Sequence, residues 1–513
     1  MKRKNLTTAV LAGLAGAVGI AGSAQAVNLN PDGLGQVLIY PYYTTRGGND
    51  TLLSVVNTTD EAKAVKVRFL ESQNTREVLD FNLYMSAFDV WVAAITDDAG
   101  IPTLIVNDNS CTVPYIFGDL GGSQEFLNFA YSGARTDGGS ELIDRASEGH
   151  FEIIEMGVLT NESSGSASAA THGGEIGSSE PADCGQLVDA WTDELPFGPG
   201  QAGDGYWIDD NAIDISAPSG GLFGGAAIIN PDAGAMYSYD AAAMNGFWQA
   251  GTPSAARHTN PGSELPSLGD AFADTSAFIF LDDGSLVTAT YVYGVEAVSA
   301  VFMHDQVMNE YNIQDSINAK SEWVVTFPTK RFYVDPDFDF DGGTTPNVPF
   351  TQALDIFGDA CENFELQFWG REEETPTPET IQEGPIVSPP PPGDPDEIIL
   401  FELCNETNVI RFGDDNGGAP SEILGSLDSV TFDLPDGWNN GWARLNMKDY
   451  FSTVDGSDLG DRIDSFGLVG LPVVGFWVEQ FTNGTLQGGT VLANYGGIFD
   501  HKGTRQIAVP GTP

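Results

Sequence analysis

The chain has 513 residues, with 73 Asp and Glu against 21 Lys and Arg and a formal net charge of −52 at pH 7. A surface this acidic makes nucleic acid and anionic lipid poor partners, because phosphates and headgroups carry the same sign. The acids are spread along the chain and 41% of residues are hydrophobic, so a folded protein with an acidic skin is expected rather than a disordered one.

Residues 1–26 read as an export signal peptide. Lys2-Arg3-Lys4 is the basic start, residues 9–21 are a small apolar run broken by glycines, and Ala24-Gln25-Ala26 fits the small-x-small cleavage pattern. That run is too short to span a bilayer, and no later stretch is long and apolar enough to be a transmembrane helix. The mature chain is expected to begin at Val27 with 73 acidic against 18 basic side chains, a net charge of −55. Secretion to the cell surface or the medium is expected, with the periplasm as the alternative, and without membrane insertion.

Residues 33–45 form an opening strand interrupted at Pro41. Residues 52–95 are the organising stretch. Ala64-Val65-Lys66-Val67-Arg68-Phe69 alternates apolar and charged side chains, and Val78-Leu79-Asp80-Phe81-Asn82-Leu83-Tyr84 keeps much the same period of two. That period predicts strands with one face in a core and one in water. Asn57-Thr58-Thr59-Asp60 and Ser72-Gln73-Asn74-Thr75 are turn formers between the runs. The expected fold class is mostly β, with antiparallel immunoglobulin-like sandwich domains, long loops and one short amphipathic helix.

The sandwich at 27–159 gives way at 160–270 to a loop-rich Gly/Ser/Asp region with short strands near 226–230 and 236–239. A loop region of that length reads as a functional surface. Residues 271–345 carry a hairpin at 277–293, a helix at 295–311 that includes His304, and strands at 323–327 and 330–334, and are expected to complete the first domain. Residues 346–513 form a second β domain, with a Pro-rich excursion at 372–396.

Four cysteines, Cys111, Cys184, Cys361 and Cys404, imply two disulfides in an exported chain. Of the three possible pairings, proximity in sequence favours Cys111–Cys184 and Cys361–Cys404. Asp337-Phe338-Asp339-Phe340-Asp341-Gly342 places carboxylates at alternate positions before a glycine, the pattern of a Ca²⁺ loop. Position 348, where an EF-hand would have its closing glutamate, is Val348, so a looser loop is expected with Asp337, Asp339 and Asp341 as ligands. The alternative is a polar turn whose phenylalanines pack inward. Asp455, Asp458 and Asp461 form a second, weaker candidate, and Asp414-Asp415-Asn416-Gly417-Gly418 reads as a turn. The chain has no G-x-S-x-G elbow, H-E-x-x-H or phosphate loop, and five histidines leave little for a metal centre, so no enzyme is expected.

Gly35-Gln36-Val37-Leu38-Ile39-Tyr40-Pro41-Tyr42-Tyr43 with Val56-Asn57-Thr58-Thr59, Gly149-His150-Phe151-Glu152-Ile153-Ile154-Glu155-Met156-Gly157, and Trp323-Val324-Val325-Thr326-Phe327-Pro328-Thr329-Lys330 make a set that resembles acidic surface-layer and biofilm-matrix proteins of marine gammaproteobacteria. The resemblance covers a minority of the chain and includes no catalytic signature. It implies self-assembly into a sheet dependent on divalent cations. The expected function is therefore a secreted structural protein whose partners are copies of itself, and cell-surface polysaccharide or lipopolysaccharide reached through bridging Ca²⁺. A secreted adhesin or carbohydrate-binding module using residues 160–270 is the alternative, and a secreted hydrolase ranks last.

Overall fold

A computed structural model describes residues 26–173, 179–192, 205–249, 252–372, 400–413, 419–451, 458–486 and 491–508. Nearly all of the signal peptide, most of the Pro-rich excursion, the 414–418 turn and Asp455 lie outside the described residues. The fold is mostly β, with several antiparallel sheets, in agreement with the periodicity.

The first half supplies β1 (Ala26–Leu29), β2 (Val37–Thr44), β3 (Asp50–Asn57), β4 (Lys63–Glu71), β5 (Glu77–Met85), β6 (Val90–Asp98), β7 (Ile101–Ile105), β8 (Cys111–Val113), β9 (Ser123–Glu125) and β10 (Glu148–Leu159). There follow β11 (Leu222–Asn230), β12 (Ala235–Asp240), β13 (Ala242–Asn245), β14 (Thr275–Phe280) and β15 (Leu286–Tyr291). One sheet runs β15-β14-β1-β13-β2-β10-β4-β5-β8, and a second runs β12-β11-β3-β6-β7-β9. Leu38, Tyr40, Val65, Val67, Phe69, Phe151 and Ile153 of the first meet Leu53, Val55, Trp91, Ile95 and Ile228 of the second in one apolar layer.

The turns follow from side-chain acceptors. Asn57 Oδ1 accepts from the N–H and the hydroxyl of Thr59, and the Glu71 carboxylate accepts from the N–H groups of Gln73, Asn74 and Arg76. Gly224 must be glycine, because a Cβ there would sit 1.9 Å from Tyr40 Oη, which donates to Ser54 O of the neighbouring strand.

The second half adds β16 (Gln306–Asn312), β17 (Ala319–Thr326), β18 (Glu362–Gly370), β19 (Leu400–Leu403), β20 (Thr407–Phe412), β21 (Ser429–Phe432), β22 (Asn440–Asn446), β23 (Val474–Leu486), β24 (Val491–Asp500) and β25 (Lys502–Thr504). They form sheets β19-β18-β22-β16-β25 and β21-β20-β17-β23-β24. Trp323 and Val325 point into the core between these two sheets, while Val324 points into the core of the first half. Thr326 Oγ1 also donates to Pro41 O of β2, so the two halves share buried structure.

The structure differs from the sequence expectation in four places. Lys66 and Arg68, expected in water, are fully buried, because the outer face of β4 and β10 is itself covered and each cation has an acidic partner. The helix ends at Phe302, and residues 303–304 and 306–312 are extended, since β16 is needed between β22 and β25. Residues Arg331–Val334 form a short helical turn rather than a strand, with Arg331, Phe332, Tyr333 and Val334 all buried. Residues 271–345 do not complete one domain: β14 and β15 extend the first sheet, whereas β16 and β17 pair within the second half. Within 160–270 the strands expected near 226–230 and 236–239 are present in β11 and β12, and β11 sits inside the second sheet between β12 and β3.

Candidate functional site

The second sheet has one face in the core and one outside. On its outer face the register aligns Val90, Val56 and Phe223 in one row, and Val92, Ser54 and Gly225 in the next. Ile105, Ala94, Leu52, Ala227 and Ser238 form a third row, followed by Asp50, Ile229 and Met236. Val90, Val92, Leu52, Phe223 and Met236 are each 40–59% exposed. The small residues between them leave a trough of about 500 Å³ along Ser54, Ala94, Gly225 and Ala227. The charges on this face stand at its margin: Asp50 begins β3, and Asp240 ends the outermost strand β12. A contiguous apolar face of this kind on a folded chain marks an interaction surface.

The basic side chains are mostly withdrawn from the rest of the surface. Ten of the 18 basic residues expected in the mature chain are buried: Lys63, Lys66, Arg68, Arg76, Arg145, Arg257, Lys330, Arg331, Arg411 and Arg462. Lys63 Nζ lies 2.7 Å from Glu155, Lys66 Nζ 2.9 Å from Asp80, and Arg68 bridges Glu77 and Glu152. Arg145 joins Glu71 at 2.7 Å to Asp137 at 2.6 Å, and Arg462 meets Glu362 at 2.9 Å. Pairing is what allows these charges inside, since an isolated buried ion is prohibitively costly. It also leaves few cations outside to offset the acids.

These environments move the protonation equilibria. Burial, with Glu77 adding to it, pushes the Asp80 carboxyl up to about 6 against the pull of Lys66. Burial lowers His150 to about 3, helped by the neighbouring Arg331 and Arg68 charges. Burial also raises Glu406 to about 8 and lowers Lys330 to about 8. These groups are enclosed, so their perturbed equilibria bear on folding.

The predicted sites fall out as follows. Cys111–Cys184 and Cys361–Cys404 are disulfide-bonded, closing separations of 73 and 43 residues. In the Asp337–Asp341 turn, Phe340 packs against Tyr293 and Tyr333, and Phe338 lies under the Arg76 and Arg331 guanidiniums. Asp337 and Asp341 face outward. Asp339 Oδ1 accepts from the Asp341 N–H and from Asn347 Nδ2, and Asp341 Oδ1 accepts from the Gly343 N–H. Among the described residues, the one group of three potential ligand atoms within 4.8 Å of one another is Cys361, Glu402 and Cys404, whose sulfurs form the disulfide. The three aspartates are therefore not brought together as a preformed cage. Asp458 Oδ1 accepts from the Gly460 N–H, and Asp461 lies 3.5 Å from Lys448 Nζ. His304 is not on a helix, and its Nδ1 lies 2.9 Å from Phe302 O.

The sheet face was missed from sequence. Its signal is Val90-Trp91-Val92-Ala93-Ala94-Ile95, apolar at both parities, which in a sheet with only one face in the core leaves apolar side chains facing out. Comparison with protein-family models, curated proteins and solved structures finds no match.

Proposed function

We propose that the protein is a secreted, non-enzymatic structural protein that assembles with copies of itself into a cell-surface layer or biofilm matrix. The observation that carries this reading is the apolar outer face of the second sheet, with Asp50 and Asp240 only at its margin, on a chain of net charge −52. Copies this acidic repel one another over roughly a Debye length, about 8 Å at physiological salt. They meet at least cost where the charges are absent and apolar area is removed from water, at about 25 cal/mol per Å². Burial of ten of the 18 cations sharpens the contrast between that face and the rest.

Elsewhere on the surface, contacts between acidic loops need counterions. Ca²⁺ bridging the outward Asp337 and Asp341 of one copy to acids of another, or to surface polysaccharide, fills that role in this reading. The two disulfides fit an oxidising compartment, and among the described residues no helix is long and apolar enough to cross a membrane. The reading takes the paired sheets as immunoglobulin-like sandwiches in their layering.

The test is light scattering and negative-stain microscopy of purified mature protein with millimolar Ca²⁺ and then with chelator. Extended sheets that dissolve on chelation are expected. A monomer under both conditions contradicts the proposal.

A further inference from the structure

The loop-rich region builds a second concave feature, on the far side of the first sheet. The helix Cys184–Asp189 is tied to β8 by the Cys111–Cys184 disulfide, and Trp191 follows its C-terminal end. A short helix, Tyr206–Asp209, starts at Gly205, whose φ of 61° favours glycine. Between them opens a cleft of about 440 Å³ lined by Trp191, Ile208, Asp209, Asp210, Asn211 and Asn260, with Trp207 at its base. That volume lies within the roughly 300–1,000 Å³ of small-ligand pockets.

The wall of the cleft is held rigid by groups that satisfy one another. Trp191 Nε1 donates to Tyr84 Oη, which lies 3.0 Å from His258 Nε2. His258 Nδ1 lies 2.8 Å from Asn211 O, and Asn211 Nδ2 donates to the carbonyls of Ala255 and His258. Trp207 Nε1 donates to Ile213 O, and the ring stacks on Tyr84 with centroids 5.1 Å apart. Trp207 is 1% exposed, so of the two indoles it is Trp191, half-buried with its N–H pointing away, that turns ring area to the cleft. Asp209, Asp210 and Asn260 stand exposed at its rim, with Asp210 Oδ1 holding the Ala212 N–H.

We propose that this cleft binds a neutral sugar ring, Trp191 taking an apolar face of the ring and the Asp209 and Asp210 carboxylates accepting from its hydroxyls. The arrangement specifies the class. Carboxylate acceptors require a ligand rich in donors, and their charge excludes uronates and phosphorylated sugars. An aromatic wall suits the C–H face of a pyranose better than a fully hydrated ion. The proposal concerns a ligand of the single subunit and stands independently of assembly.

The test is titration of the purified chain with maltotriose, cellotriose and the N-acetylglucosamine trimer, read by tryptophan fluorescence and calorimetry, with oligogalacturonate as the anionic control. Saturable binding of at least one neutral oligosaccharide is expected, weakened about tenfold by Asp209→Asn with Asn260→Ala, the loss of one or two charge-assisted hydrogen bonds. Both substituted residues are exposed, so an unchanged melting temperature separates lost contacts from lost fold. Saturation by oligogalacturonate alone, by Ca²⁺ alone, or by none of the sugars overturns the proposal, as does neutral-sugar binding that the double variant leaves intact.

Discussion

Lys63 Nζ lies 2.7 Å from Glu155 Oε1, with both side chains fully buried on adjacent strands of a protein that has few cations. Glu155 also accepts from the backbone N–H groups of Ser219 and Gly220, so the pair ties the sheet to the segment before β11. Lys63→Met leaves a buried carboxylate without its counter-charge and is expected to cost ~3–5 kcal/mol. Lys63→Met with Glu155→Gln should recover part of that loss, because the amide oxygen still accepts from the backbone. Urea midpoints of the three proteins check this, and a single variant as stable as the parent would show that the pair is not under constraint.

Four histidines, two of them fully buried and two half-buried, set a response to acid. Burial lowers His150, His258 and His304 to about 3 and His501 to about 4. His501 Nε2 lies 2.9 Å from Val324 O and its Nδ1 3.2 Å from Asn309 Nδ2, which suits a neutral ring. A folded value below the unfolded one means the unfolded chain binds more protons in between. The stability these rings contribute is complete above about pH 6.5 and is lost as pH falls toward 4 for His501 and toward 3 for the others, at up to ~1.4 kcal/mol per pH unit for each. Buried acids such as Glu406, raised to about 8, act in the opposite sense, so the imidazoles should be followed individually by NMR. These four are expected to show no titration step between pH 7 and pH 5 while the fold persists.

The two disulfides close separations of 73 and 43 residues. Removing Cys361–Cys404 by a double serine substitution is expected to lower stability by ~2–4 kcal/mol. Calorimetry under oxidising and reducing conditions measures it: the parent should shift on reduction further than the variant does.

Both disulfide pairings, the mostly β character and the hairpin at β14–β15 were legible in the sequence, because each depends on local spacing. The inward packing of Phe338 and Phe340 was legible as one of two readings of the same motif. What was not legible depends on what lies across the strand. Lys66 is a charged residue on an alternating strand and Val92 an apolar one, yet Lys66 is buried in an ion pair with Asp80 while Val92 is exposed. No local pattern says which face a distant segment will cover. The helix end at Phe302 was hidden for the same reason: the apolar run continues through Met303, and pairing of β16 with β22 stops the helix.

Asp337 and Asp341 are exposed, so replacing both with Asn should leave the melting temperature in chelator unchanged. The Ca²⁺-dependent part of assembly should diminish. Scattering curves against Ca²⁺ concentration for parent and variant decide this, and superimposable curves would remove these two residues from the cation-bridging role.

The most direct test of the account is to charge the sheet face. Leu52 and Val92 are 40% and 46% exposed on β3 and β6, so Leu52→Asp with Val92→Asp places two carboxylates in its centre without entering the core. Sedimentation velocity in saturating Ca²⁺ should show the parent as large assemblies and the double variant as a monomer with the same melting temperature. A folded double variant that assembles as readily as the parent would contradict the claim that copies meet through this face.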